Sequence, residues 1–90
     1  MNLIKEIEKI LPKVGKILTQ ERMQQFLQIP YIHLDEYDFG LGTMIRLKLL
    51  GSKNTLYKAF IEIGITDRYI MTMIIIRKFY RSMHAQLFEF

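Results

Sequence analysis

The segment Tyr69-Ile-Met-Thr-Met-Ile-Ile-Ile76 decides the fold of this chain, because seven of its eight residues are large and apolar. A helix that is apolar on every face must be covered by other helices, by a partner or by lipid. A membrane-spanning helix needs about 20 apolar residues, whereas Arg68 and Arg77 enclose this short run. We therefore expect a long, largely buried helix over residues 66–86 of a soluble protein.

Size and composition set the class of protein. A chain of 90 residues forms a single domain, and its 50% apolar content excludes intrinsic disorder as the default state. So much apolar surface on a small domain favours burial against a partner or a second subunit. The absence of cysteine excludes disulfides and thiolate chemistry, and the N-terminus lacks the pattern of a signal peptide. These features predict a cytoplasmic protein.

The N-terminal third has helical spacing that a proline interrupts. Apolar residues recur at Leu3, Ile7, Ile10, Val14 and Ile17. Pro12 lies inside this pattern and disfavours a continuous helix, so we expect short helices at 2–10 and 12–18, with one kinked helix as the alternative.

The rest of the chain also predicts helices. Thr19 is typical of an N-cap, so a third short helix is expected at 20–28, and Ile29-Pro30 ends it. Residues 29–38 are expected to be a connection that Tyr31, Leu34 and Tyr37 hold to the core. The core helices are then predicted at 39–50, 54–63 and 66–86.

Turn and cap residues mark the boundaries of these core helices. Asn54 is a predicted N-cap, Gly64 a predicted helix end, and Thr66 or Asp67 a predicted cap of the last helix. Gly40 and Gly42 weaken the start of the 39–50 helix, or allow another segment to approach it closely. With no strand alternation in the sequence, we predict an all-α, compact single-domain bundle of five to six helices with the C-terminal helix at its centre.

Three patches within residues 35–85 have a motif-like sequence. The first is Phe39-Gly-Leu-Gly-Thr-Met-Ile-Arg46, and the second is Leu56-Tyr-Lys-Ala-Phe60 followed by Gly64-Ile65. The third is Met71-Thr72 with Ile74 and Ile75. Together these patches resemble a family of small bacterial helical domains of unknown function, and the resemblance implies an all-helical fold and no activity.

The chain departs from the family pattern at its polar positions. Asp38 stands where the family often has histidine, and Leu47-Lys48 replace a pair of asparagines. Arg68-Tyr69-Ile70 replace a Pro-Asp-Asp sequence. Apart from Arg46, the shared positions are mainly glycine and apolar framework, so the resemblance points to shared architecture.

The candidate partner-binding residues are Arg46, Tyr37 and Phe88. Arg46 lies in an otherwise apolar helix turn, and its planar guanidinium could bind a partner's carboxylate or phosphate. The alternative is an internal pair with Asp38, Glu36 or Glu62. The C-terminal sequence Leu87-Phe-Glu-Phe90 is apolar for a chain end, and we expect it to dock on the bundle or on a partner.

Four basic residues of the last helix are candidate nucleic-acid contacts: Arg77, Lys78, Arg81 and His84. Residues 39–90 carry eight Lys or Arg against three Asp or Glu, and phosphate binding needs several cations on one face. A solvated, basic helix C-terminus is the alternative explanation, and it also suits the helix dipole.

No set of residues here predicts catalysis. His33 and His84 lack metal-type spacing, and the acidic residues of 35–38 lack a calcium-loop pattern. Neither Ser52 nor Ser82 lies in a nucleophile motif. We therefore expect a non-enzyme without cofactor or metal.

The sequence thus leads to two hypotheses about function. The first is a small protein-binding module: a regulator, inhibitor, antitoxin or immunity-type protein that acts by occlusion, with another protein or a second copy as partner. The alternative is nucleic-acid binding through the basic C-terminal half. Neither hypothesis involves a membrane.

Overall fold

The computed structural model describes residues 2–87, and this part of the chain contains six helices and no strand. They are α1 (Leu3–Ile17), α2 (Gln20–Gln28), a 3₁₀ helix (Tyr31–Asp38), α3 (Leu41–Leu49), α4 (Thr55–Glu62) and α5 (Arg68–Leu87). The predicted all-α bundle is confirmed, including the long C-terminal helix.

Helix α1 runs through Pro12 without a break, so the prediction of two short helices is wrong and the chain forms one helix. Ile7 and Ile10 before the proline and Val14 after it are all buried in one core. A proline inside a helix costs about 3 kcal/mol. Burial of the same apolar stripe on both sides of Pro12 offsets that local cost, because most helical stability comes from tertiary packing.

Residues 31–38 are a second correction, because they form a 3₁₀ helix where the sequence predicted a connection. Leu34 is 1% exposed and lies in the core, and Tyr31 and Tyr37 are half-buried against it, as expected. Pro30 precedes this helix and keeps it separate from α2. The anchoring of Leu34 gives the segment a fixed conformation that a surface loop would lack.

The predicted helix boundaries have the expected caps. The side chains of Thr19, Asn54 and Asp67 each accept a hydrogen bond from a backbone N–H of the following helix, at 3.2, 2.9 and 2.7 Å. Gly64 follows α4 with φ +91°, and its N–H donates to the Ile61 carbonyl at 2.9 Å. Only glycine adopts this left-handed backbone at little cost.

Helix α5 packs against α1, α2, the 3₁₀ helix and α3, which places it at the centre of the bundle. Its buried residues are Met71, Thr72, Met73, Ile75, Ile76 and Phe79. Tyr69 and Ile70, however, are 47% and 48% exposed. The expectation that no face of the apolar segment meets water therefore fails in its first turn.

An aromatic cluster centred on Phe26 joins α2, the 3₁₀ helix and α5. The Phe26 ring centroid lies 5.0 Å from that of Tyr37, 5.8 Å from that of Phe79 and 5.6 Å from that of Tyr80. The Tyr80 hydroxyl donates a 2.7 Å hydrogen bond to the Ile29 carbonyl. This bond satisfies the polar end of a ring whose body is packed in the core.

Within residues 2–87, no helix is both long enough and apolar enough to cross a membrane.

Candidate functional site

Arg46 is held by its own chain. Its Nη1 donates to Asp38 Oδ1 at 2.5 Å and to the Thr72 hydroxyl at 3.3 Å, and its Nη2 donates to the Asp38 carbonyl at 3.2 Å. Thr72 is fully buried, and its hydroxyl donates to the Arg68 carbonyl at 2.6 Å. The Arg46 guanidinium thus connects the end of the 3₁₀ helix to α3 and α5, as the internal-pair alternative describes.

Gly42 gives this cluster the space that it needs. A Cβ at this position would lie 2.9 Å from Asp38 Oδ1, 3.1 Å from Thr72 Cγ2 and 3.4 Å from Arg46 Nη1. The first distance is shorter than real Cβ contacts, so any larger residue must displace the Asp38 carboxylate. The close approach of Asp38 and Thr72 thus explains why position 42, one of the two glycines in the Phe39–Arg46 motif, is glycine.

Of the other two predicted partner-binding residues, Tyr37 is described by the structure and Phe88 is not. Tyr37 is half-buried, with its ring edge-on to Phe26 at an interplanar angle of 73°. Phe88, like the docking segment of which it is part, lies outside the described residues 2–87.

A groove, here called the α3 groove, runs along α3 where the end of α1 and the start of α2 face it. It consists of three adjoining depressions of about 400, 460 and 210 Å³ that share residues. Its lining residues are Lys13, Lys16, Ile17, Leu18, Arg22, Gln25, Glu36, Tyr37, Phe39, Gly40, Leu41, Thr43, Met44, Lys48 and Leu49. The helical stripe Gly40–Met44–Lys48 follows its length.

Two large apolar side chains stand exposed on this side of α3. Phe39 is 88% exposed at the groove, and Leu47 is 74% exposed two turns further along the same helical stripe. Thr43, between them on that stripe, also lines the groove. Phe39 and Leu47 thus form a short exposed apolar row, and of these two residues Phe39 lines the groove.

Gly40 has no structural need to be glycine. A Cβ there would meet no atom within 4 Å, and the backbone is right-handed helical at φ −81° and ψ −72°. This contrasts with Gly42, two residues away, where the fold demands the space. Gly40 leaves the middle of the α3 groove open.

The α3 groove is cationic. Lys13, Lys16, Arg22 and Lys48 are exposed around it, and none of them forms an ion pair with a carboxylate within residues 2–87. Glu36, at one end, is the only carboxylate among the lining residues that the structure describes.

Sequence reasoning missed Phe39, Leu47 and the groove beside them. The signal was available in the phase of α3, whose buried face is Leu41, Ile45 and Leu49. Once that stripe faces the core, Leu47 cannot, because it lies about 200° round the helix from Ile45, while Phe39 precedes the first residue of α3. The positions of the four cations on three helices had no comparable signal.

The predicted nucleic-acid residues do not form one free patch. Arg77 and Lys78 are exposed, but the Arg81 guanidinium lies 4.8 Å from the Tyr31 ring centroid. The His84 ring lies 4.2 Å from that of Tyr80, and its buried Nε2 has no hydrogen-bond partner within the described chain. Two of the four side chains thus contact the protein's own aromatic rings.

A second groove of about 690 Å³ lies on the surface between α1 and α5. Leu11, Pro12, Met23, Phe79 and Met83 provide its apolar lining. Its polar residues include one anion, Glu8, and one cation, Lys78, so it has no marked charge.

Glu6, which lies outside these grooves, is a titratable residue whose pKa the structure shifts. The Lys9 ammonium donates a 3.1 Å hydrogen bond to its carboxylate and lowers the pKa of Glu6 below the ordinary value of 4.5. The Thr55 hydroxyl donates a second 3.1 Å hydrogen bond, which also lowers the pKa and links α1 to α4. Within residues 2–87, no group of acidic residues and histidines could hold a metal ion.

Comparison with known proteins identifies the family. Neither the curated proteins nor the solved structures include one that matches this chain. A protein-family model described as a domain of unknown function (DUF6794) matches residues 5–83, which include all of the α3 groove. The chain therefore belongs to the DUF6794 family.

Proposed function

We propose that this protein is a non-enzymatic protein-binding module that acts by covering a surface of its partner. The observation that carries the proposal is the exposure of Phe39, which lines the α3 groove and has 88% of its surface accessible to water. Aromatic residues that insert into a partner often supply much of the binding energy of an interface. We expect a regulator, inhibitor, antitoxin or immunity-type protein that acts by such occlusion, and a bacterial cytoplasm suits a chain without cysteine.

The rigidity of the surface supports this function. Leu41 and Leu49 of α3 are buried in the core, while Gly42 and Arg46 lock its start to the 3₁₀ helix and α5. A preorganised binding surface loses little conformational entropy when a partner binds. Arg46 then acts as a support of the interface rather than as an anchor within it.

Nucleic-acid binding through α5 is the second candidate function, and the exposed pair Arg77 and Lys78 favours it. Arg81 is also exposed, but its guanidinium lies over the Tyr31 ring, and His84 is half-buried against Tyr80. Phosphate binding of useful affinity requires several cations acting together. We therefore rank this function below protein binding.

Quantitative co-purification tests the first proposal. Tagged wild-type protein, the F39S/L47S double variant and an I4S/I63S control are each incubated with lysate of the source organism and crosslinked. Ile4 and Ile63 are 63% and 58% exposed and lie outside the α3 groove. A partner should be enriched by the wild type and the control but not by F39S/L47S, and equal recovery by all three would refute the proposal.

A salt titration tests the second candidate. Fluorescence anisotropy of labelled DNA and RNA is measured with the wild type and with R77A/K78A at about 50 and 200 mM salt. Binding that weakens steeply with salt and with the double substitution supports a nucleic-acid surface on α5. Absence of binding at both salt concentrations removes it.

A further inference from the structure

We infer that the α3 groove binds an acidic amphipathic helix of another protein. This inference rests on the proposed function and adds the chemistry of the partner. Three properties of the groove carry it: its cations, which have no carboxylate partner within residues 2–87, its apolar base between helices and the open space at Gly40.

The charge of the groove specifies the charge of its partner. Lys13 and Lys16 come from α1, Arg22 from α2 and Lys48 from α3, so three helices place cations around one groove. The chain provides these four residues with no carboxylate partner within 2–87. Carboxylates of a bound segment would complement them, steer the encounter and fix its orientation.

The base of the groove specifies an apolar face on the same partner. Ile17, Leu18, Leu41 and Met44 line it, and Phe39 stands at its side. The stripe from Gly40 to Lys48 is about 12 Å long, at 1.5 Å per residue, which suits about two turns of a docked helix. Grooves between helices usually accept a helix, whereas an extended peptide pairs with the edge of a sheet.

A second copy of this chain fits the groove poorly. In a symmetric dimer the same surface faces itself, so Lys13, Lys16 and Lys48 would approach the same cations of the other subunit. Like charges brought together in an interface repel each other and disfavour the complex. The charge pattern therefore favours a different protein as partner.

Nucleic acid also fits less well than an acidic helix. Phosphate contacts require cations, which the groove has, but base stacking requires exposed aromatic rings in series. Phe39 is the only aromatic residue that is exposed among the lining residues, because the Tyr37 ring packs on Phe26. Aliphatic residues form the rest of the base.

Gly40 provides a selective test of the site. Leucine at position 40 would fill the middle of the groove, while its Cβ meets no atom of the protein within 4 Å. Gly51 is the matched control, since a Cβ there also meets nothing and the residue lines none of the grooves described. Neither glycine has a positive φ, so both G40L and G51L should fold, as circular dichroism and thermal unfolding will show.

The experiment is a selection from displayed random 16-residue peptides on the immobilised full chain. Peptides selected on the wild type are synthesised, and their affinities for wild type, G40L and G51L are compared. We expect peptides with apolar residues at helical spacing and an excess of Asp and Glu. They should bind G51L like the wild type and G40L at least about tenfold more weakly, as for the loss of a central contact.

Charge reversal tests the partner chemistry separately. K13E/K16E/K48E should weaken these peptides by at least about tenfold. The control K5E/K53E/K58E makes the same change in net charge at exposed lysines outside the groove, and it should have a much smaller effect.

Each other outcome overturns a defined part of the inference. Peptides that are sensitive to G40L but not acidic overturn the partner chemistry and leave the proposed function standing. Peptides that bind G40L as tightly as the wild type, or no enriched peptide, remove the groove as the site, and the co-purification result then decides the proposed function independently. A 20-nucleotide DNA that binds the wild type but neither G40L nor K13E/K16E/K48E would assign the groove to nucleic acid instead.

Discussion

Arg46 Nη1 lies 2.5 Å from Asp38 Oδ1, and this ion pair closes the junction between the 3₁₀ helix and α3. Both side chains are partly buried, with 27% and 28% of their surface exposed. Arg46 also reaches the buried hydroxyl of Thr72 on the central helix. The residue that the sequence suggested for partner binding thus fixes α3, the helix along which the α3 groove runs, to the 3₁₀ helix and α5.

Removal of the Arg46 guanidinium should lower stability. R46M keeps much of the aliphatic stem but leaves Asp38 and Thr72 without their donor, so we expect a loss of about 1–2 kcal/mol, limited by the partial exposure of the pair. Urea unfolding measures it. R77M, at an exposed position of α5, is the control and should change stability by less than about 0.5 kcal/mol. A stable R46M that no longer binds the partner would instead place Arg46 within the interface.

The two glycines of the motif should differ in their sensitivity to alanine. G42A places a Cβ 2.9 Å from Asp38 Oδ1, so we expect a loss of about 1–3 kcal/mol from forced repacking. G40A adds a methyl group in open space on a helical backbone and should change stability by no more than about 1 kcal/mol. Thermal unfolding of both variants measures the difference. Equal effects would show that Asp38 and Thr72 move aside easily.

Phe26 should be among the most sensitive core positions. It is fully buried and contacts aromatic rings from the 3₁₀ helix and α5. F26A should cost about 3–5 kcal/mol through lost burial and a cavity, whereas F26L should cost much less. Chemical denaturation, with loss of near-ultraviolet tyrosine dichroism as a second probe, measures both. A loss below about 1 kcal/mol for F26A would mean that the aromatic cluster collapses around the gap.

Replacement of Pro12 by alanine should increase the stability of the protein. P12A restores an N–H inside α1 that can donate to the Glu8 carbonyl, and it removes the steric conflict of the ring. Against this, alanine increases the entropy of the unfolded chain, so we expect a net stabilisation of about 1–2 kcal/mol. Thermal unfolding measures it. An unchanged or lower melting temperature would contradict this prediction. It would show that the contacts of the proline ring, which lines the second groove between α1 and α5, stabilise the protein more than the restored helical hydrogen bond does.

The stabilisation that the Glu6 carboxylate gives to the fold should depend on pH. Because the pKa of Glu6 is lowered in the folded protein, its ionised form stabilises the fold above the ordinary value of 4.5. That contribution is lost as the pH falls through the lowered pKa and Glu6 becomes protonated. Carboxyl NMR titration should show the Glu6 pKa rising toward 4.5 in K9M and staying low in K13M. A Glu6 pKa that K9M leaves unchanged would contradict the role of Lys9.

Local signals in the sequence predicted several structural details because their physics is local. The caps at Thr19, Asn54 and Asp67 and the turn at Gly64 depend on residues close in the chain. The apolar content of residues 69–76 likewise required a buried helix, whatever packed against it. Its first turn escaped this rule, since Tyr69 and Ile70 are half exposed.

Other features depended on contacts that no local pattern contains. Pro12 stays inside a continuous α1 because residues on both of its sides are buried by distant helices. Residues 31–38 form a 3₁₀ helix with Leu34 anchored in the core. In both places tertiary burial outweighed the local preference.

By itself, the sequence determined the helical class, the caps and the buried C-terminal helix, because helix periodicity and capping act over a few residues. Only the tertiary structure decided which polar and apolar residues remain available. It joined Arg46 to Asp38, stacked Arg81 on Tyr31 and left Phe39 in water beside the cations of three helices. These relationships arise from the packing of segments that are distant in the chain, and the spacing of residues along the chain does not predict such packing.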